Sequence, residues 1–419
     1  MKKLIIIGGG ASGIFCAVNA ARLCSDLEVL VLEKSSKLLS KVKVSGGGRC
    51  NVTHDADDIS SLLEAYPRGK NFMRKTLYAF SNKDTEQWFE DRGVPLHVEA
   101  DGRMFPKTND SQTIIDCLLR EANTYGVKIS TEASVKSIEK QGSTFHLIVE
   151  MKGIEQKLTC SYLAIATGGS PKIDGFNWLM NLGIEVDPPV PSLFTFNIQE
   201  KNLHALMGLS APDVMVRIPA LKLQEQGPIL ITHWGLSGPA VLKLSSKAAV
   251  ELNEMKYAFD VKVNWFASLH ESAMLDALKE YRITMSKTVI SNKNPFGFPS
   301  RLWGYLLTRA GVDVMKTWSD VSTSIINQLS RTISSDTYTV SGKTTFKDEF
   351  VTAGGVKLNQ INASTMECKH VPGLFFMGEV MNVDGITGGY NFQHAWSSGW
   401  IAANAIAIGK EAKSEGGKE

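Results

Sequence analysis

Gly8, Gly10 and Gly13 stand in a GxGxxG spacing, the pattern that lets a backbone come close to a pyrophosphate. The first glycine permits the tight turn, the second removes the side chain that would occupy the phosphate's space, and the third lets helix pack on strand. With 36 glycines in 419 residues the spacing alone could arise by chance, so its surroundings decide. It follows the apolar run Leu4 to Ile7 and opens a helix-period stretch from Ala11 to Leu23, whose first turn offers the N–H groups of Ala11, Ser12 and Gly13. Glu33 and Lys34 close the next apolar run, and a carboxylate there can accept hydrogen bonds from ribose hydroxyls. These residues point to dinucleotide binding.

Further along, two more apolar runs end in glycine. Tyr162 to Ala166 leads into Thr167, Gly168 and Gly169, and Leu374 to Met377 leads into Gly378 and Glu379. Either one alone reads as strand-to-loop punctuation. The segment Ser45, Gly46, Gly47, Gly48, Arg49, Cys50, Asn51, preceded by Lys41 and Lys43, can wrap backbone donors around phosphate or hydroxyl oxygens, or be a flexible loop. The run Asp384 to Asn391, with Gly388, Gly389, Tyr390 and Asn391 at its end, precedes a helix-like stretch from Gln393 to Ile408. Groups able to do proton or thiol chemistry are fewer. His233 precedes GLSGP and could orient a substrate or simply be a hydrogen-bonded barrel histidine. Cys50 beside Arg49 could be a thiolate or an inert core thiol. His54, His394 and Tyr390 are further candidates, and no residue is assigned to catalysis.

The elements that must position these groups follow from period and texture. Strand, helix and strand within the first 32 residues form a parallel crossover unit, so an α/β fold with a doubly wound sheet is expected. From Leu193 the texture becomes alternating, as in Phe194, Phe196 and Ile198, or Phe259, Val261, Val263 and Trp265, which indicates half-buried antiparallel strands. Ser268 and Glu271 have capping-box spacing before Met274 to Tyr281, and Pro299 opens a helix through Leu307. Near Thr352 the glycine-rich texture returns. The expected division is a nucleotide domain over 1–188 and 345–409, a β-rich insert over 189–264 and 331–344, a helical subdomain over 265–330, and a disordered tail over 410–419.

Composition narrows the function classes. Lys and Arg total 45 against 43 for Asp and Glu, which favours a small-molecule substrate over nucleic acid or an anionic membrane surface. The six cysteines contain no CxxC and no Cys/His cluster at zinc-ligand spacing, so neither a disulfide scaffold nor a metal site is expected. The apolar run at the start stops at three glycines, too short for a secretory signal, and a cytoplasmic protein is expected.

The two glycine-bearing strand ends, taken with the first glycine turn, resemble the three FAD contacts of the glutathione-reductase-like fold. SGGGRCNVT, ATGG, THWGLSGPA (Thr232 to Ala240), TAGGV and GEVMNVDGITGGYNFQHAWSSG resemble, over nearly the whole chain, the bacterial aminoacetone-oxidase-like or BaiN-type flavoproteins. The resemblance implies a discontinuous FAD-binding Rossmann domain, an inserted β-barrel-like domain and a small helical subdomain. It implies FAD contacts from the glycine segments, Glu33, Lys41 and Val135, with His233 and Tyr390 as substrate-side candidates. Lys43, where the family usually has an apolar residue, and Asn382, where it has aspartate, depart from the pattern. The function implied is an FAD-dependent oxidoreductase moving a hydride between flavin N5 and a small organic substrate or NAD(P)H; no second GxGxxG follows a strand, so no dedicated nicotinamide domain is expected, and transient NAD(P)H docking and reoxidation by O2 are both open. An NAD-dependent dehydrogenase and a non-catalytic flavin sensor or partner protein are the alternatives.

Overall fold

The computed structural model describes residues 2–345 and 351–415, with side chains of 410–415 excepted. The chain forms two compact units, Met1–Ser192 with Lys347–Glu419, and Leu193–Phe346.

The first unit is built on strand β1 (Lys3–Ile7), helix α1 (Ala11–Leu23) and strand β2 (Glu28–Leu32). β1 and β2 are parallel, pairing Lys3 with Glu28 through Ile7 with Leu32. Strand Tyr162–Ile165 lies on the other side of β1, and strand Leu374–Phe376 lies beyond it, also parallel. Strand Lys128–Ser130 completes a sheet of five on the β2 side. The residues at the centre of β1, Leu4, Ile5 and Ile6, are fully buried, which a strand covered on both faces requires. One cover is α1. Against α1 packs the C-terminal helix Tyr390–Glu415, so closely that a Cβ on Gly399 would come within 2.9 Å of the Ser12 carbonyl oxygen. That helix starts three residues before the expected Gln393 and continues past Gly409 into the segment expected to be a disordered tail; residues 416–419 lie outside the described residues.

Strand Val186–Ser192 pairs antiparallel with Val351–Val356, so residues 189–192, assigned by sequence to the insert, stay with the first unit. A three-stranded sheet of Ala133–Gln141, Thr144–Met151 and Ile154–Cys160 belongs to the same unit.

The second unit is a closed barrel of six strands, in the order Thr195–Ile198, Gly235–Ser237, Leu223–Thr232, Ser210–Ile218, Ala258–Asn264 and Asp336–Thr344. Helices Glu271–Thr284, Ser300–Arg309 and Thr323–Ser334 share one apolar core with the barrel. Arg309 ties them to it, its guanidinium meeting Asp336 and Glu200 while Tyr305 donates to Glu200 at 2.8 Å. The capping box at Ser268 does not form. Asp213 accepts both the N–H and the hydroxyl of Ser268, so the helix begins at Glu271 behind His270 without a side-chain cap. No helix among the described residues is long and apolar enough to cross a membrane.

Candidate functional site

The parallel sheet brings three glycine-bearing strand ends to one edge, because β1, Tyr162–Ile165 and Leu374–Phe376 are adjacent and run the same way. After β1, Gly8 takes φ 115°, and a Cβ there would come within 2.2 Å of the Ala166 carbonyl oxygen. Gly13 is as tight, with the Gly8 carbonyl oxygen 2.0 Å from a Cβ position. Gly10 differs: it caps α1 in extended conformation, and nothing lies within 4 Å of its Cβ position. No side chain caps α1 and no acidic residue stands in its first turn. Its first N–H groups, on Ala11, Ser12 and Gly13, have no intrahelical acceptors and lie at the positive end of the helix dipole.

Glu33 ends β2 partly exposed, accepting N–H groups from Gly9 and Ser35, each at 2.8 Å. Lys34 beyond it is exposed. The Ala133 N–H donates to the Glu33 carbonyl at 2.9 Å, which brings the strand carrying Val135 to the end of β2.

The middle and outer strand ends are held together by Glu379. Its carboxylate pairs with the exposed Lys41 ammonium and accepts the Thr352 N–H at 3.1 Å. Thr352 and Glu379 leave no room for a side chain at Gly169. Thr167 is exposed and Gly168 takes φ 73°. Gly378, at φ 69°, is gripped by the two packed helices: its N–H donates to Ser398 Oγ at 2.9 Å, its carbonyl lies 3.2 Å from His394 Nε2, and Ser12 Oγ donates to the Met377 carbonyl. Burial pushes the His394 ring down to about 4, against the opposing pull of the Gly378 carbonyl and Glu379.

The loop Ser45 to Asn51 and the loop Asp384 to Asn391 meet. Gly46, Gly47 and Gly48 follow one another at positive φ, and at the last two nothing lies within 4 Å of a Cβ position. Arg49 stacks on Phe105 at 4.0 Å and pairs with Glu99. With its amide oriented by the hydrogen-bond network, Asn51 accepts the Gly389 N–H at 3.0 Å. His54 Nδ1 lies 3.0 Å from the Gly388 carbonyl, and its ring stacks on Tyr390 at 4.7 Å. Tyr66 donates to the Tyr390 carbonyl, and Asn391 closes the loop on Gly385. Burial, with Asp101 adding to it, pushes the Tyr390 hydroxyl up to about 12, so it is protonated at neutral pH.

Of the two readings of Cys50, burial favours the inert core thiol: the residue is fully buried, and burial pushes its thiol up to about 12. Asp384 is fully buried, with its carboxylate taken by the Arg68 guanidinium and the Ser192 hydroxyl, so its side chain fixes the loop rather than offering an acceptor to a ligand. His233 is in the second unit, in an exposed turn against Trp234. Of the departures, Lys43 is exposed and reaches Gln112, and Asn382 donates to Asp187, where an aspartate would set two carboxylates together. Sequence reasoning did not single out Arg68, Thr352, Ser192 and Ser398; Thr352 and Ser398 lie inside the TAGGV and GEVMNVDGITGGYNFQHAWSSG segments but were given no role, Arg68 and Ser192 lie in no motif, and each acts through a partner distant in sequence.

An uncapped helix start, open glycines at Gly10, Gly47 and Gly48, a carboxylate at the end of β2 and exposed Lys41 are the donors and acceptors that a dinucleotide's pyrophosphate and ribose need. The residues fit FAD. Residues 2–405 match the family described as HI0933-like protein Rossmann domain. The chain belongs to this family. It is similar to the ribosomal RNA dihydrouridine synthase of Escherichia coli, at 31% identity over 97% of this chain and 98% of that one. It is also similar to the 3-dehydro-bile acid delta(4,6)-reductase of Clostridium scindens, at 26% identity over 97% and 99% of the two chains. In fold it resembles 3-ketosteroid delta1-dehydrogenase from Sterolibacterium denitrificans, with a TM-score of 0.52, 12% identity, and 98% and 100% of the chains covered. The protein is thus a flavoprotein of the oxidoreductase class with a Rossmann FAD-binding fold.

Proposed function

We propose that this protein uses bound FAD to reduce a carbon–carbon double bond conjugated to a carbonyl, with uridine in RNA as substrate and NAD(P)H as electron donor. The observation that carries the reading is the convergence of three glycine-bearing ends of adjacent parallel strands on one edge, where the N-terminus of α1 is open. The choice of bond is supported by the relatives, since making dihydrouridine and reducing a delta(4,6) unsaturated bile acid are the same kind of step. Uridine is preferred to a steroid because the RNA-acting relative is the more similar of the two.

When bound, the flavin supplies a two-electron carrier that accepts from a nicotinamide and delivers to an electrophilic carbon. In the overall balance NAD(P)H loses a hydride, the C5=C6 bond of uracil gains that hydride and one proton, and solvent provides the proton. The chain's own residues bind and orient. The start of α1 meets the pyrophosphate charge, Glu33 the adenosine ribose, and Lys41 with the Gly47–Gly48 turn the middle of the dinucleotide. Tyr390, protonated and stacked on His54, holds a proton at the first residue of the C-terminal helix, next to Gly389.

The test is anaerobic stopped-flow reduction of the FAD-loaded protein with NADH or NADPH, then mixing with unmodified ribosomal RNA, with a steroid enone, or with air. Reoxidation by RNA with dihydrouridine appearing in the product supports the reading. Reoxidation by the enone alone moves the substrate to small molecules. A protein that cannot be loaded with FAD, or is reoxidised only by air, overturns it.

A further inference from the structure

We propose that the outer face of the barrel around Arg217, Lys222 and Lys262 is a docking surface for the phosphodiester backbone of RNA. The inference rests on the RNA reading above and adds where on the second unit the strand is held.

Strands Ser210–Ile218 and Ala258–Asn264 are antiparallel, and their register sets Arg217 directly opposite Lys262. Alternation sends Val216, Ile218, Val261 and Val263 into the core, so both cations stand outside. Lys222, at φ 55° in the turn before Leu223–Thr232, brings a third cation beside them. The three line a shallow cleft of about 270 Å³ together with Pro219, Leu223 and Gln224.

Like charges directly opposite on neighbouring strands are destabilising, and an acid nearby would relieve them. None does so: among the described residues, Arg217, Lys222 and Lys262 make no ion pair, and no hydrogen bond through the side chain. The same barrel does pair charges elsewhere, with Lys247 on Glu225 and Arg309 on Glu200 and Asp336. A face that keeps a repulsive pair unrelieved suits a ligand with closely repeated negative charge. A phosphodiester strand has that charge on every nucleotide, and cations bound to phosphates in this way position a strand without reading its sequence. The whole-chain excess of only two positive charges is compatible with this, because binding follows the local cluster rather than the sum.

The test uses the full-length FAD-loaded protein and its Arg217→Gln/Lys262→Gln double variant, with a fluorescein-labelled uridine-rich single-stranded RNA followed by anisotropy at several salt concentrations. The wild type should bind with an affinity that falls with salt. The double variant should bind on the order of tenfold more weakly, with a slope of log K against log salt smaller by about 1.4, or about 0.7 for each phosphate that the variant no longer neutralises. Arg217→Lys, which keeps the charge, should retain most of the binding. Flavin content and reduction by NAD(P)H should be unchanged, and Tm unchanged or higher, since repulsion is relieved. Equal binding by wild type and double variant overturns the surface, as does weakening accompanied by a lower Tm or a loss of flavin. If the wild type forms dihydrouridine in ribosomal RNA but the double variant does so with the same KM, the surface fails and the RNA reading stands. If the wild type neither binds nor modifies RNA, both fail.

Discussion

The Glu33 carboxylate accepts N–H groups from Gly9 and Ser35, so it holds the glycine turn, and under the proposed function it also binds the adenosine ribose. Replacing it with alanine removes a charged acceptor, and charge-assisted hydrogen bonds contribute about 1.5–3 kcal/mol each. Glu33→Ala should therefore weaken FAD binding by about tenfold to a hundredfold, read as the Kd from flavin fluorescence on titrating apoprotein, and excess FAD should restore turnover. An unchanged Kd with turnover abolished at saturating FAD would contradict the assignment. The placement of this residue beside the glycine turn was legible in the sequence because the signal is local: it follows an apolar run at a fixed distance from a glycine pattern. The role of the Asp384 carboxylate was not legible, for the opposite reason. Its charge is answered by Arg68 and Ser192, which are 316 and 192 residues away in sequence, and no spacing rule announces such partners.

At the scale of elements, the three first-domain glycines separate into two kinds. A side chain at Gly8 or Gly13 would strike backbone atoms at 2.2 and 2.0 Å, whereas one at Gly10 meets nothing within 4 Å and the residue is at φ −86°, which any amino acid adopts. Gly10→Val should consequently fold with near-normal Tm as apoprotein yet purify without flavin, while Gly13→Ala should be insoluble or strongly destabilised. Absorbance at the flavin band with circular dichroism melting separates the cases, and wild-type flavin content in Gly10→Val would show the turn to be structural only. The element order of this half was readable because β1 and β2 are short continuous apolar runs, as strands covered on both faces require, and the glycine turn marks where α1 begins between them. The helix starts were less so: Ser268 had the right spacing for a capping box, but Asp213, brought in by barrel pairing, competes for its hydrogen bonds. Likewise the C-terminal helix begins at Tyr390, inside a glycine-rich run whose composition suggested loop.

For the molecule as a whole, stability should depend on His394 in acid. The ring is buried between the C-terminal helix and Gly378, and its folded value of about 4 lies below the ordinary 6.5. Between those values the unfolded chain binds a proton that the folded one refuses, so the folded state is favoured fully above pH 6.5 and loses that advantage as pH falls toward 4. A shift of this size corresponds to something on the order of 3 kcal/mol, a large part of ordinary domain stability. Asp384 works the other way, its carboxyl being raised by burial against Arg68 and Ser192. Because Asp384 is common to both proteins, its effect cancels when wild type is compared with His394→Gln, whose amide can still donate to the Gly378 carbonyl but does not titrate. Denaturant melts at pH 7 and pH 4.5 should thus show wild type losing more stability than His394→Gln over this interval. Equal losses would mean that the ring accepts a proton in place, and that the grip on Gly378 at its strand end survives a charge inside the core.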